Sequence, residues 1–123
     1  MPVFTNEETK LFHLQTKNTS YIFQIIANGA AGQVYYGAKV PVKPSYSNLM
    51  TMEEHDCTNT LSEESTSFQL ELIKQEYATQ GKGDFREAAY VIQYPDGSRT
   101  SEFEYQGYQV EEGKKRLPGL PSS

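Results

Sequence analysis

The sequence is poor in residues on which several large classes of protein depend. Its single cysteine, Cys57, excludes an internal disulfide framework and predicts a reducing compartment, the cytoplasm. Tryptophan, the best platform for stacking on sugar rings, is absent. No apolar run approaches the roughly 18 residues of a membrane span, and residues 1–10 lack the basic and apolar regions of a signal peptide. The net charge of −5 disfavours a nucleic-acid backbone or an anionic membrane as partner.

Catalytic and metal-binding constellations are sparse as well. His55 stands beside Asp56 and Cys57, whereas His13 is distant, and structural zinc sites need three or four ligands at regular spacings. We therefore predict no metal, no cofactor and no Cys–His nucleophile pair. Four acidic groups offer the two carboxylates that a glycosidase needs, but we expect none of them to be catalytic. They are Glu53/Glu54/Asp56, Glu63/Glu64, Glu102/Glu104 and Glu111/Glu112.

What the sequence does contain points to β-structure. Its 123 residues make one domain, and its 9 Tyr and 6 Phe favour half-buried pleated surfaces. Alternating and β-branched runs predict an all-β fold, an antiparallel β-sandwich with one long irregular loop. Asn28-Gly29 is the strongest hairpin signal, and residues 1–10 are predicted to be a polar lead-in. The predicted strands are 11–16, 21–27, 33–36, 67–73, 88–94, 101–105 and one more near 108–110.

Residues 38–66 form the predicted long loop. Pro41 and Pro44 block a regular ladder or helix interior, and a run of Ser, Thr, Asn and Glu extends to Thr66. Such a loop inside a compact domain is either functional or mobile, and both interpretations stay open. Six tyrosines leave a similar choice between stacking on sugar rings and packing in a sheet. They are Tyr35, Tyr36, Tyr90, Tyr94, Tyr105 and Tyr108.

The polar stretch 75–87 lies between two predicted strands. Its two glycines permit sharp turns. Asp84 and Arg86 flank Phe85, so in an extended backbone the two charges share one face while the ring points to the other. These residue types favour a docked connection that a local ion pair stabilises and that Phe85 anchors.

This stretch continues into the next strand as QEYATQGKGDFREAAY at 75–90, which resembles the signature of the N-terminal domain of glycoside hydrolase family 36. The best-known members of that family are α-galactosidases, and they carry a Gln-Glu-Tyr, a short glycine-containing loop and an Asp-Phe-Arg. Many members have proline, an aromatic residue and proline where this chain has Ala78, Gln80 and Ala88. Further matches, in the same order, are LFHL at 11–14, SY at 20–21, NG at 28–29, YYG at 35–37 and GLP at 119–121.

The resemblance implies that residues 1–123 are part of the family's N-terminal β-supersandwich, and that the (β/α)₈ barrel with its two catalytic aspartates lies outside this chain. The chain alone would then be inactive. Its parent would be a cytoplasmic, homo-oligomeric, retaining α-galactosidase that acts on melibiose and raffinose without metal or cofactor. Its partners would be the barrel, other subunits and, through the whole enzyme, the galactoside. The alternative that stays open is a free-standing β-sandwich module that binds a carbohydrate or a protein and belongs to no enzyme.

The resemblance also assigns roles to particular residues. In tetrameric members, the loop that corresponds to 38–66 reaches the active site of a neighbouring subunit, where an acidic residue contacts the galactose hydroxyls. Carried over without gaps from the strand at Phe68, that position is Glu54, and a two-residue gap would make it Asp56. Carboxylates suit this role because they accept hydrogen bonds from sugar hydroxyls. The predicted structural residues of the 75–87 loop are Glu76, Tyr77, Asp84, Phe85 and Arg86.

Overall fold

The computed structural model describes residues 1–50, 72–80, 84–113, 116 and 118–119. Its strands are paired antiparallel in one sheet with the order β1-β2-β3-β4, so the predicted all-β, antiparallel class is confirmed. The helix of the described residues is a single 3₁₀ turn, and no helix in these ranges is long and apolar enough to cross a membrane. The elements are β1 (Val3–Asn6), β2 (Leu11–Gln15), β3 (Thr19–Ile25), β4 (Ala31–Ala38) and the 3₁₀ helix (Ser47–Leu49).

The first strand corrects the prediction of a polar lead-in at residues 1–10. β1 pairs with β2 from Val3 opposite Leu14 to Asn6 opposite Leu11. The turn between them is built by Asn6, whose side-chain Oδ1 accepts hydrogen bonds from the backbone N–H of Glu8 (3.0 Å) and Thr9 (3.2 Å). Four residues are too few to establish an alternating pattern, so this strand depends on its neighbour and leaves little trace in the sequence.

The hairpin predicted at Asn28-Gly29 is confirmed. Gly29 adopts φ +83°, and the Asn28 side chain accepts a hydrogen bond of 3.1 Å from the N–H of Ala30. Beyond this turn, the register of β3 and β4 shifts at Ile22 and Phe23, which leaves Val34 as an extra residue in β4. This bulge lets Val34 and its neighbour Tyr35 pack against the same buried cluster.

One face of the sheet, the inner face, is largely buried. Ile22 at its centre is 0% exposed. The covering chain is the segment 39–50, which places the Tyr46 ring against the sheet and packs Val40 and Met50 beside it. This segment is the start of the predicted long loop at 38–66, and it is irregular apart from the 3₁₀ turn. The inner face consists of Leu11, His13, Ser20, Ile22 and Val34.

The opposite face, the aromatic face, is covered only in part. The rings of Phe12 and Phe23 stack with centroids 4.8 Å apart, and Tyr108 lies edge-on to Phe12 at 5.0 Å. A backbone hydrogen bond of 2.9 Å from Tyr105 to Gly29 holds this covering segment on the hairpin. The strand β3 therefore lies between two other strands of the sheet and carries apolar side chains on both faces. The aromatic face consists of Phe12, Leu14, Tyr21, Phe23 and Ile25.

The strands predicted at 88–94, 101–105 and 108–110 are wrong as regular elements, because the described residues 84–113 contain no ladder. They are held by single backbone hydrogen bonds, such as Ala89 to Ala78 (2.9 Å) and Ser101 to Gln80 (3.3 Å). The alternation of polar and apolar residues in these segments indicates an extended amphipathic chain. A strand also needs a neighbouring strand to which its backbone is hydrogen-bonded, and none of the described segments supplies one. A tight turn forms at 95–98, with Gly97 at φ +87°. Most of the strand predicted at 67–73 lies outside the described residues.

Candidate functional site

The 75–87 loop is held by the ion pair that its sequence predicts. The Arg86 guanidinium donates to both oxygens of the Asp84 carboxylate, from Nε to Oδ1 at 3.0 Å and from Nη2 to Oδ2 at 2.7 Å. The backbone N–H of Arg86 adds a third bond to Oδ1 at 3.1 Å. The Asp84 side chain is 2% exposed. Bidentate pairs of this kind are among the stronger polar contacts in proteins.

Contacts to residues 73–75 fix this ion pair on the sheet. Gln75 donates to Asp84 Oδ2 at 2.7 Å, and Arg86 Nη1 donates to the carbonyl of Ile73 at 2.7 Å. The backbone around Gln75 in turn pairs antiparallel with β4 at Gly32. The hydrogen bond from Arg86 is the largest influence on Asp84 and lowers the pKa of its carboxyl, although burial alone would raise it. Asp84 is therefore the charged centre that joins the loop to β4.

The aromatic residues of this loop point away from it. Phe85 is 79% exposed and Tyr77 is 63% exposed. The prediction that Phe85 anchors the loop is thus wrong within the described residues, because hydrogen bonds and the ion pair hold the backbone there and the Phe85 ring does not. The sequence pattern correctly placed the ring opposite the charges, but it could not show which side meets the sheet. Phe85 is instead presented to solvent.

Glu76 lies against the aromatic face. Burial, and then a hydrogen bond with Glu76, raise the pKa of the Tyr21 hydroxyl far above its usual range. One carboxylate oxygen of Glu76, Oε1, is buried with no hydrogen-bond partner among the described residues.

A cleft of about 520 Å³ opens over the aromatic face. Its walls are largely apolar, and the charged side chains among its lining residues are Glu104 and Glu111. Tyr105 and Tyr108 lie over Phe12 here, so these two tyrosines pack in a partly formed core. Their stacking on a sugar stays a prediction. The lining also includes Phe23, Ile25, Tyr77, Phe103 and Val110.

A polar cluster on the inner face escaped the sequence analysis. His13 is 0% exposed, and its ring lies between the Ser20 hydroxyl, 2.8 Å from Nε2, and the Tyr46 hydroxyl, 3.1 Å from Nδ1. Burial lowers the pKa of its imidazole. The available signal was the alternation of β2, which places His13 on the same face as Leu11.

The predicted sugar-contacting residues Glu54 and Asp56 lie outside the described residues, as do His55 and Cys57. Within the described ranges, no group of three or more His, Cys, Asp or Glu side chains is arranged to hold a metal. The acidic residues 102, 104, 111 and 112 lie in the irregular segment that follows the 75–87 loop.

The described residues define an all-β domain with a buried Asp84–Arg86 ion pair, and comparison with known proteins identifies its family. The family described as "Glycosyl hydrolase family 36 N-terminal domain" matches residues 29–123. This chain belongs to that family.

Two relatives, one of them compared both by sequence and by structure, illustrate the similarity. The crystal structure of the α-galactosidase from Lactobacillus brevis superposes with a TM-score of 0.90 and is 52% identical, over 97% of this chain and 16% of that chain. Alpha-galactosidase AgaA of Geobacillus stearothermophilus is 32% identical over 100% of this chain and 17% of its own length. A crystal structure of AgaA A355E D548N in complex with raffinose has a TM-score of 0.79 at 31% identity, over 92% of this chain and 16% of that chain. The chain thus spans about a sixth of the length of these relatives.

Proposed function

We propose that this chain is the non-catalytic N-terminal β-sandwich segment of a retaining α-galactosidase that hydrolyses terminal α-galactosides such as melibiose and raffinose. The observation that carries the proposal is the match of nearly the whole chain to enzymes named α-galactosidases, of which it spans about a sixth. In the proposal, the catalytic aspartates belong to a barrel outside this chain. The parent enzyme is a cytoplasmic homo-oligomer that needs no cofactor.

The proposed role of the segment is to pack on the rest of the enzyme and on other subunits. Supporting this role, Phe85 and Tyr77 are presented by a backbone that Asp84 and Arg86 hold in place. The cleft over the aromatic face also leaves apolar surface uncovered in the described residues. Large exposed apolar surfaces mark sites of association. Further exposed apolar side chains lie at Val91, Tyr94, Phe103 and Val110.

A chimaera tests the proposal. Its parent is the Lactobacillus brevis α-galactosidase, and this chain replaces the segment that it matches. The chimaera should hydrolyse p-nitrophenyl-α-galactoside, whereas this chain alone and the parent without the segment should not. A chimaera that folds and assembles like the parent but is inactive would contradict the proposal, as would activity in the chain alone.

The proposed sugar contact from the loop is tested in the same chimaera. Replacing Glu54 with Gln should raise KM for melibiose about tenfold or more and change kcat less, because a hydrogen bond to a charged group contributes about 1.5–3 kcal/mol. Asp56→Asn should have this effect instead if the alignment contains the two-residue gap. Glu63→Gln, in the same predicted loop, is the matched control. An unchanged KM in both variants would show that Glu54 and Asp56 do not contact the sugar and would contradict the proposed role of the loop.

The second candidate function, a free-standing binding module, draws on one observation, the aromatic lining of the cleft. Titration of this chain with methyl α-galactoside separates the two functions. Millimolar or tighter binding would favour the module, because the proposed enzyme needs its barrel to complete a sugar site.

A further inference from the structure

The hydrogen bonds around Tyr46 determine where the proton of His13 lies. The Tyr46 hydroxyl has one hydrogen and two lone pairs. It accepts a bond of 3.0 Å from the backbone N–H of Lys43 and donates its hydrogen to the carbonyl of Pro41, which has no hydrogen to give. The contact with His13 Nδ1 must therefore use the second lone pair of the hydroxyl, with Nδ1 as the donor. The neutral imidazole then carries its hydrogen on Nδ1.

The other ring nitrogen must accept. In this tautomer Nε2 has a free lone pair, and the Ser20 hydroxyl 2.8 Å away donates to it. The Ser20 oxygen accepts from the backbone N–H of Val40 at 3.0 Å and, more weakly, from Gln15 Nε2 at 3.5 Å. Gln15 also donates to the carbonyl of Val40 at 2.6 Å. Every hydrogen and lone pair of the two hydroxyls is therefore occupied.

We propose that His13, Ser20 and Tyr46 form an acid-sensitive anchor that holds the segment 39–46 on the inner face only while the His13 imidazole is neutral. A second ring hydrogen on Nε2 would face a serine oxygen whose lone pairs already accept two bonds. The serine hydrogen would lose its acceptor, and a positive charge would be buried. Breaking the anchor frees Val40 and Tyr46 and exposes the imidazole to water. This inference concerns the fold alone and is independent of the proposed function.

Among the described residues, the surroundings of His13 offer few charges that would stabilise the imidazolium. Within the sheet, β3 contributes Ser20 and Ile22, and neither side chain is charged. The charged side chains that line the recess beside His13 are Glu7 and Glu8, from the turn after β1, and Lys43, from the anchored segment. Both glutamates belong to exposed residues, so water screens their charge, and the Lys43 ammonium opposes them. The lowered pKa of His13 agrees with this arrangement.

Amide hydrogen exchange from pH 7.5 to 5 tests the anchor in the 123-residue chain. Opening that exposes His13 takes up one proton, so the protection factors of the Val40 and Lys43 amides should fall about tenfold per pH unit below the ordinary histidine pKa of about 6.5. The amide of Glu76, bonded to the Ala31 carbonyl at the far end of the sheet, is the internal control and should show no such slope. Long-range ¹H–¹⁵N correlation spectra should show the Nδ1-protonated tautomer at pH 7.5.

Two variants separate the anchor from general stability. His13→Gln removes the titrating group. In this variant the protection factor of the Val40 amide should be lower than in the original chain and should not change with pH. Tyr46→Phe keeps the ring and should lower Lys43 protection about tenfold, while Tyr36→Phe, at an exposed tyrosine, should change neither amide. The proposal is overturned by pH-independent protection in the original chain, by an Nε2-protonated tautomer, or by a parallel fall at Glu76.

Discussion

Replacing Asp84 with alanine should lower the free energy of unfolding of this chain by about 3 kcal/mol, because the change breaks a buried ion pair and removes the carboxylate that accepts three hydrogen bonds from Arg86. The loss lies at the lower end of the usual range, since the Arg86 side chain is 34% exposed and water screens part of its charge. The variant also removes the acceptor of Gln75. Urea denaturation, followed by far-ultraviolet circular dichroism, measures the effect.

The matched control is Asp96→Ala, which removes the same charge from an exposed turn and should leave the unfolding midpoint nearly unchanged. The pH dependence provides a second check. Because the pKa of Asp84 is lowered in the folded chain, its contribution is present above the ordinary aspartate pKa of about 4 and is lost as the pH falls through its folded value. The original chain and Asp84→Ala should therefore converge in acid. Equal free energies of unfolding for the two proteins at pH 7 would show that the ion pair does not stabilise the fold.

The parts of the fold that the sequence predicted are those that local chemistry decides. Asn28-Gly29 forms the hairpin turn from local interactions. The Asn28 side chain accepts a hydrogen bond from the nearby backbone, and Gly29 adopts the positive φ that the turn requires. β1 was not predicted, and the strands at 88–94, 101–105 and 108–110 were over-predicted, because strand formation depends on a hydrogen-bonded partner as well as on alternation. β1 is only four residues long and forms by pairing with β2, whereas the later segments alternate but pair with no strand among the described residues.

In the candidate site too, the sequence predicts local contacts but not contacts between distant parts of the chain. The spacing of Asp84 and Arg86 predicted their pairing, since a two-residue separation in an extended chain places both charges on one side. The contacts that fix this pair on the sheet come from Gln75 and Ile73, and only the folded backbone brings them there. His13 was overlooked because its partner Tyr46 lies in a proline-containing segment with no regular pattern.

Substitutions at two isoleucines on opposite faces of β3 should distinguish the buried inner face from the partly exposed aromatic face. In this chain, Ile22→Ala should lower the free energy of unfolding by about 3–4 kcal/mol, because Ile22 is 0% exposed and its neighbours cannot close the cavity. Ile25→Ala should have an effect of about 1 kcal/mol, since Ile25 is half-buried at the wall of the open cleft and water already reaches it. Urea denaturation of the two variants gives both values.

In the chimaera, Ile22→Ala and Ile25→Ala should destabilise the protein to a similar extent. If the rest of the enzyme covers the aromatic face, as proposed, Ile25 loses its contact with water there, and its truncation then leaves a cavity in a closed core. Heat inactivation of α-galactosidase activity should accelerate by comparable factors for Ile22→Ala and Ile25→Ala. A chimaera in which Ile25→Ala stays as mild as in the free chain would mean that the cleft remains open in the assembled enzyme. The aromatic face would then be a surface for a ligand or a separate partner, and the binding-module alternative would gain its strongest support.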